Sequence, residues 1–338
     1  MPSLNAQDLR LAQFYKAPQL LNPAMTGVFS GQFRFHLNYR DQWSSILGNQ
    51  PFRTQNVGTD FHLKAFGQDF FGIGLNAYLD GGSGDGEFKQ TKVHLSGSYA
   101  KQVSGNAYSH QSQYLIAGAQ VGFGQNTLNW NRLWFSDQFD GLAGYPAFDN
   151  PSEETWFNQS TGDTDLYLDV NLGLLWYMTL SQNSSIYFGG ALNHLNGPNV
   201  SLENESETLE MRWVIHSGGE IALSNYLSFL PGLLIQNQGD RSSISFGTNF
   251  RYSNSDWKEM AFRIGIWPHL SKQRESNLFM DEWTTSLILE WTQWDIGISY
   301  GINTSPLKNA TLSRGAFELS LTYVRQGKDK VKTKCPKL

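Results

Sequence analysis

The chain of 338 residues carries a single cysteine, Cys335, close to its end. One thiol forms no internal disulfide, and no Cys or His cluster lies near it to hold a metal. Charge is scarce at 16% of residues, and Lys+Arg 25 against Asp+Glu 30 leaves a formal net charge of -5 at pH 7. That mild acidity provides no basic footprint for nucleic acid. No apolar run approaches the roughly 18 residues of a helical membrane span, and the mean hydropathy is -0.40. Residues 1–8 lack an apolar core, so no secretory signal is visible, and one removed before this numbering stays open. G-x-S-x-G, H-E-x-x-H and P-loop signatures are missing, so nothing supports an enzyme, and no cofactor is expected. Transmembrane helices are thereby excluded. A membrane β-barrel is not, because its lumen-facing residues pull mean hydropathy down.

What the chain does have is aromatic side chains (14%), 33 glycines and strict alternation. In "GQFRFHLNYRDQW" (31–43), Phe33, Phe35, Leu37 and Tyr39 share one parity, and Arg34, His36, Asn38 and Arg40 share the other. This is a strand with one apolar and one strongly polar face. About fourteen segments repeat the pattern, many near the roughly 9–11 residues of a tilted membrane strand. Connections sort by length. Tight ones lie near 67–69, 181–184, 224–226 and 292–295, and long ones at 41–53, 124–163, 194–210, 268–283 and 301–315. Residues 101–112 are a longish exception on the tight side. Short turns at one end and long loops at the other are how outer-membrane barrels are built. Asp60, Lys64, Lys92, Asp169, Arg251, Arg263, Glu290 and Glu318 all fall on the polar parity. A wet lumen accommodates such charges and a dry core does not. Tyr39, Tyr99, Trp176, Tyr252, Trp291, Tyr300 and Tyr323 sit near segment ends, as an interfacial girdle requires. The fold expected is all-β: an antiparallel outer-membrane barrel of about fourteen strands, with short periplasmic turns and long extracellular loops. A soluble β-sandwich shares the alternation but has no reason to sort loops by parity.

Other features carry less. The seven histidines are spread singly; His36, His62 and His94 share the lumen parity of different strands and could converge on a metal, or be ordinary lumen residues. "DGGSGDGE" (80–87) has the composition of a calcium loop without its spacing, and reads as a flexible hairpin loop. Residues 8–15 suit a short helical turn.

The two ends of the chain are motif-bearing. Gln13, Phe14 and Tyr15, then Asn22, Pro23 and Ala24, then Gly27, then Tyr39, Arg40, Gln42 and Trp43 resemble the opening of the PorP/SprF family. "AFELSLTY" and a basic tail carrying Lys330, Lys332, Lys334, Cys335 and Pro336 resemble its close. The resemblance implies an outer-membrane, multi-pass component of the type IX secretion and gliding machinery. Its implied partners are outer-membrane lipid, other secretion components, a secreted cargo or adhesin at the cell surface, and a periplasmic partner. Three regions are expected: a periplasmic N-terminal segment (1–30), the barrel (31–325) and a basic periplasmic tail (326–338), with both termini periplasmic. Asn22-Pro23 reads either as an entry turn or as part of a docking site. Arg40 and Trp43 read as an inward arginine paired to a lumenal acid plus an interfacial tryptophan, or as a ligand site. The tail is a solvated end or an electrostatic handle. Function is expected to be binding; the alternative is a porin-like diffusion channel for small solutes.

Overall fold

The computed structural model describes residues 8–47, 51–82, 88–105, 111–129, 162–181, 183–202, 207–254, 260–273 and 277–326. The basic tail residues Lys330 to Pro336, most of 124–163 and part of 80–87 lie outside the described residues.

Fourteen antiparallel strands close into a barrel, each bonded to its neighbours in sequence, with the first joined to the last. They are β1 (Phe33–Gln42), β2 (Phe52–Lys64), β3 (Phe70–Gly82), β4 (Phe88–Ser104), β5 (Ser112–Leu128), β6 (Tyr167–Ser181) and β7 (Ser184–Asn193), then β8 (Arg212–Ala222), β9 (Leu227–Gln238), β10 (Arg241–Ser253), β11 (Met260–Gln273), β12 (Phe279–Trp291), β13 (Trp294–Asn303) and β14 (Arg314–Arg325). All fourteen apolar/polar alternating segments are strands. Among the described residues no helix is long and apolar enough to cross a membrane.

The faces divide as the alternation requires. Val57, Phe61, Leu63, Ile73, Leu95, Leu174 and Ile264 are exposed on the outer wall, while Arg34, His36, Asp60, Lys92, Asp169, Arg263 and Glu318 are buried inside. Because side-chain direction has period two, a one-residue slip would reverse both faces at once.

Loop sorting holds at the tight end, where β6 and β7, β8 and β9, and β12 and β13 are joined by two to four residues. The other end differs in two places. The expected loop 268–283 is mostly strand, since β11 runs to Gln273 and β12 begins at Phe279. Pro268 sits within the ladder opposite Trp283, next to a register shift at His269/Leu270. Such an irregularity is where a strand tolerates a residue that donates no ladder hydrogen bond. β9 and β10 are joined at this same end by Gly239-Asp240 alone, with Gly239 at φ 55.

The largest departure concerns the N-terminal segment. It was expected as a periplasmic appendage, but residues 8–30 run inside the barrel. Asp8 lies at the long-loop end, beside Lys92, His194 and Arg212. The chain then descends through a 3-10 turn at Phe14–Lys16, α1 (Pro18–Leu21) and a second 3-10 turn at Pro23–Met25, and joins β1 at the short-turn end. The helical turn thus begins at Phe14, not at residue 8. A fourteen-stranded ring has more interior than its own side chains fill, and this segment occupies the surplus.

The outward face makes one prediction. Ile264, midway along β11, is 57% exposed on the wall. Ile264→Arg should cost about 2–4 kcal/mol if the position meets hydrocarbon. Folding equilibria in lipid vesicles measure this, with Thr322→Arg, on the lumen side beside open space, as the comparison.

Candidate functional site

The lumen is organised by ion pairs between strands that also grip the inner segment. Arg34 on β1 and Asp60 on β2 are register partners. Their side chains meet through two hydrogen bonds of 2.9 and 2.7 Å. Asp60 also accepts from the Gly27 N–H at 2.7 Å, and Arg34 donates to the Met25 carbonyl and lies over the Phe29 ring. Arg40 is opposite Glu318. It donates to Glu318 at 2.6 Å and to Glu282 on β12 at 2.9 Å. The two oxygens of Glu318 then accept the N–H groups of Ala12 and Gln13 at 2.6 and 2.9 Å. Arg10 donates to Asp281 at 2.8 Å, and Lys16 to Asp295 at 3.0 Å. At the long-loop end the two ring nitrogens of His194 face Asp8 at 2.6 Å and Asp169 at 2.8 Å. A buried charge is costly unless it is paired and hydrogen-bonded. Here the inner segment supplies part of that pairing.

The resemblance motifs are the segment's anchor points. Gln13 donates to Ser299 and accepts from Ser320 at 3.0 and 2.9 Å. The Tyr15 hydroxyl donates to Ser286, and the rings of Phe14 and Tyr15 pack on Trp267 at 5.4 and 5.0 Å. Asn22 has the extended backbone that a following proline imposes, and its side chain caps the turn by accepting from the Ala24 N–H at 2.8 Å. Its amide group donates to the carbonyls of Leu174 and Gly190. Gly27 turns at φ 75, where a side chain would be strained and would also meet Gly72. These seven residues are taken up by the barrel's own wall. Tyr39, Arg40, Gln42 and Trp43 instead close β1. Tyr39 donates to Asp41, and Gln42 accepts from Arg40 at 3.5 Å. Trp43 adopts φ 63 and packs edge-on against Phe52.

The close approach of segment to wall depends on missing Cβ atoms. A Cβ at Gly173 would strike the Asn22 side chain, one at Gly118 the Ala24 backbone, and one at Gly74 the Gln19 amide. All three glycines face inward.

The three histidines of the polar parity do not converge. His36 lies near Asn76, His62 pairs with the Gly27 carbonyl and stacks on Phe70, and His94 faces Asp169. Among the described residues no group of His, Cys, Asp and Glu is arranged to hold a metal ion. Arg10, Lys16, Trp267 and Glu282 carry no motif in the sequence, yet they complete the lumen. The lone signal for them was inward parity, or their place within the segment.

The glycine contacts make a direct prediction. Trypsin should not cut after Lys16, which is buried, in the intact barrel. Gly173→Val should expel the Asn22 turn and expose that bond, whereas Gly97→Val, where a Cβ meets nothing closer than 3.9 Å, should leave it protected. Mass spectrometry of the digest reads both outcomes.

Comparisons with known proteins agree with this architecture. The family model for the type IX secretion system membrane protein PorP/SprF matches residues 3–323. No curated relative matches the chain. Among solved structures, the TodX monoaromatic hydrocarbon channel deltaS2 mutant is similar at TM-score 0.53 and 10% identity, covering 92% of this chain and 94% of that one. The TodX deltaS2S3 mutant gives the same values. The Pseudomonas putida toluene transporter TodX follows at TM-score 0.49 and 12% identity, covering 94% and 95%. At such identities the likeness is one of fold. Fourteen strands, sorted loops and terminal motifs meet in one conclusion: the chain belongs to the PorP/SprF family of type IX secretion system membrane proteins.

Proposed function

We propose that this chain is a closed, non-enzymatic outer-membrane scaffold of the type IX secretion system. It works by binding: it holds a secreted cargo or adhesin at the surface, or links the secretion machinery to periplasmic partners. Family and fold are those of a secretion membrane protein, not of an enzyme class. The observation that carries the scaffold reading is the obstructed lumen. Residues 8–30 contact strands around the ring through Glu318, Asp295, Asp60 and Ser96, among others. Releasing them would break the ion pairs of Asp8, Arg10 and Lys16 with the wall and the backbone hydrogen bonds to Glu318 and Asp60. A solute channel does not suit so firmly bonded an obstruction.

On this reading the long-loop end faces outward and engages cargo, chiefly through the connections after β5 and β7. The short-turn end, with the start of the basic tail, faces the periplasm. The motif residues Gln13 to Gly27 serve partners indirectly, by fixing the wall around them.

Planar-bilayer recording of the purified full chain tests this. It should show no steady conductance, and steady large conductance would restore the diffusion-channel alternative. Deletion of 131–160, which leaves the β5 and β6 strand ends in place, should abolish cargo retention while the barrel remains inserted. Retention that survives the deletion intact would contradict the loop assignment.

A further inference from the structure

Below the inner segment the lumen is not full. A chamber of about 880 Å³ remains, and it is bounded above by Tyr15, Lys16 and Pro18 of that segment. It is rimmed by Asn225, Tyr226, Thr292, Gln293 and Gln326, all at the short-turn end. The inner segment lies between it and the long loops, so the chamber is entered from the short-turn end. Its size is that of a ligand pocket, which typically spans roughly 300–1,000 Å³.

The chemistry of its lining is specific. Lys16, Arg34, Arg251 and Arg263 face it, against the carboxylates of Glu290 and Asp295. The acids that complete the balance, Asp60 and Glu220, pair with Arg34 and Arg251 but do not line the space. The lining itself thus presents more basic than acidic side chains, with two of the balancing carboxylates set behind it. Arg251 and Arg263 are register partners on β10 and β11, like charges held face to face. Glu290 separates them by accepting from the Nε of each. Among the described residues Arg263 makes no other hydrogen bond. Its two Nη nitrogens are thus unpartnered on a guanidinium only 2% exposed, in the wall of the chamber. A planar guanidinium in that state is matched by a carboxylate.

Three ligand classes fit poorly. A cation meets a lining in which basic side chains outnumber acidic ones. A hydrocarbon or lipid tail would desolvate them. A small inorganic anion would leave most of the volume, and the apolar faces of Phe29, Tyr226 and Met260, unused. The rim adds carboxamides from Asn225, Gln293 and Gln326, which both donate and accept as peptide groups do. We propose that the chamber is a receptor site for an extended acidic polypeptide segment of a partner protein, which enters from the short-turn end and places a carboxylate on Arg263. This rests on the reading above in one respect, the assignment of that end to the periplasm, which makes the partner a periplasmic protein.

The test uses the purified full chain in lipid nanodiscs and an end-blocked fluorescent heptapeptide alternating aspartate and phenylalanine. Fluorescence anisotropy should show saturable, salt-sensitive binding, at least about tenfold tighter than for the same peptide with lysine for aspartate. Arg263→Lys keeps the charge beside Glu290 but loses the fork, and should weaken binding by roughly tenfold. Gln293→Glu, at the half-buried rim, should weaken it too, and Gln293→Lys should strengthen it. The proposal is overturned by absence of saturable binding, by equal binding of the two peptides, or by affinities indifferent to both positions. It is also overturned if inorganic phosphate displaces the peptide at equal concentration, which would make the chamber a simple anion site. A barrel that is silent in bilayers yet binds no acidic peptide loses this proposal and keeps the scaffold. A barrel that conducts yet binds the peptide does the reverse.

Discussion

Closing fourteen polar-faced strands into a ring places a large set of charges where solvent is limited and the nearest lipid is on the other side of the wall. Each of those charges must find a partner, and that requirement organises the interior. Arg34 with Asp60, Arg40 with Glu318 and Glu282, and Arg251 and Arg263 with Glu290 are pairs across or between strands. Replacing such pairs with apolar residues is often no loss in stability, whereas removing one member is severe. What the pairs contribute here is a fixed arrangement of acceptors and donors. The segment 8–30 binds to that arrangement as a ligand would.

The segment is held by complementarity on two scales. Carboxylates receive its backbone N–H groups at Ala12, Gln13 and Gly27. These are bonds to main chain, so they depend on the path of the segment more than on its side chains. Glycines of the wall then admit its turns, most visibly where Gly118 and Gly173 meet Asn22 and Ala24. The aromatic cluster of Phe14, Tyr15 and Trp267 adds apolar contact next to the chamber. Together these explain why family-type motifs cluster in a stretch that forms no strand.

Strands and faces were legible because their signal is local: period-two alternation needs only a few consecutive residues. Loop sorting was legible for the same reason, except where Pro268 reads as a break and the ladder absorbs it at an irregularity, and where β9 and β10 meet in a two-residue turn at the long-loop end. The inner segment was not legible. Gln13 and Ser299, or Ala12 and Glu318, lie about three hundred residues apart, and nothing at either position announces the other. Register was equally hidden, so Arg34 and Asp60 stood in the sequence as separate lumen charges. One clue was present. Gly72, Gly74, Gly118, Gly122 and Gly173 all fall on the inward parity. Repeated glycine on one face of a strand marks close backbone approach, and for Gly72, Gly74, Gly118 and Gly173 the inner segment is what approaches.

Membership of the PorP/SprF family sets the context of secretion, and the barrel's likeness to TodX structures extends to fold alone. The distinguishing physical claim is that residues 8–30 are part of the barrel's interior. Hydrogen exchange of the full chain in lipid nanodiscs tests it most directly. Peptides covering 12–27 should exchange as slowly as those from β4 and β11. Complete exchange of that stretch at the rate of an open chain, with the strands still protected, would contradict the account.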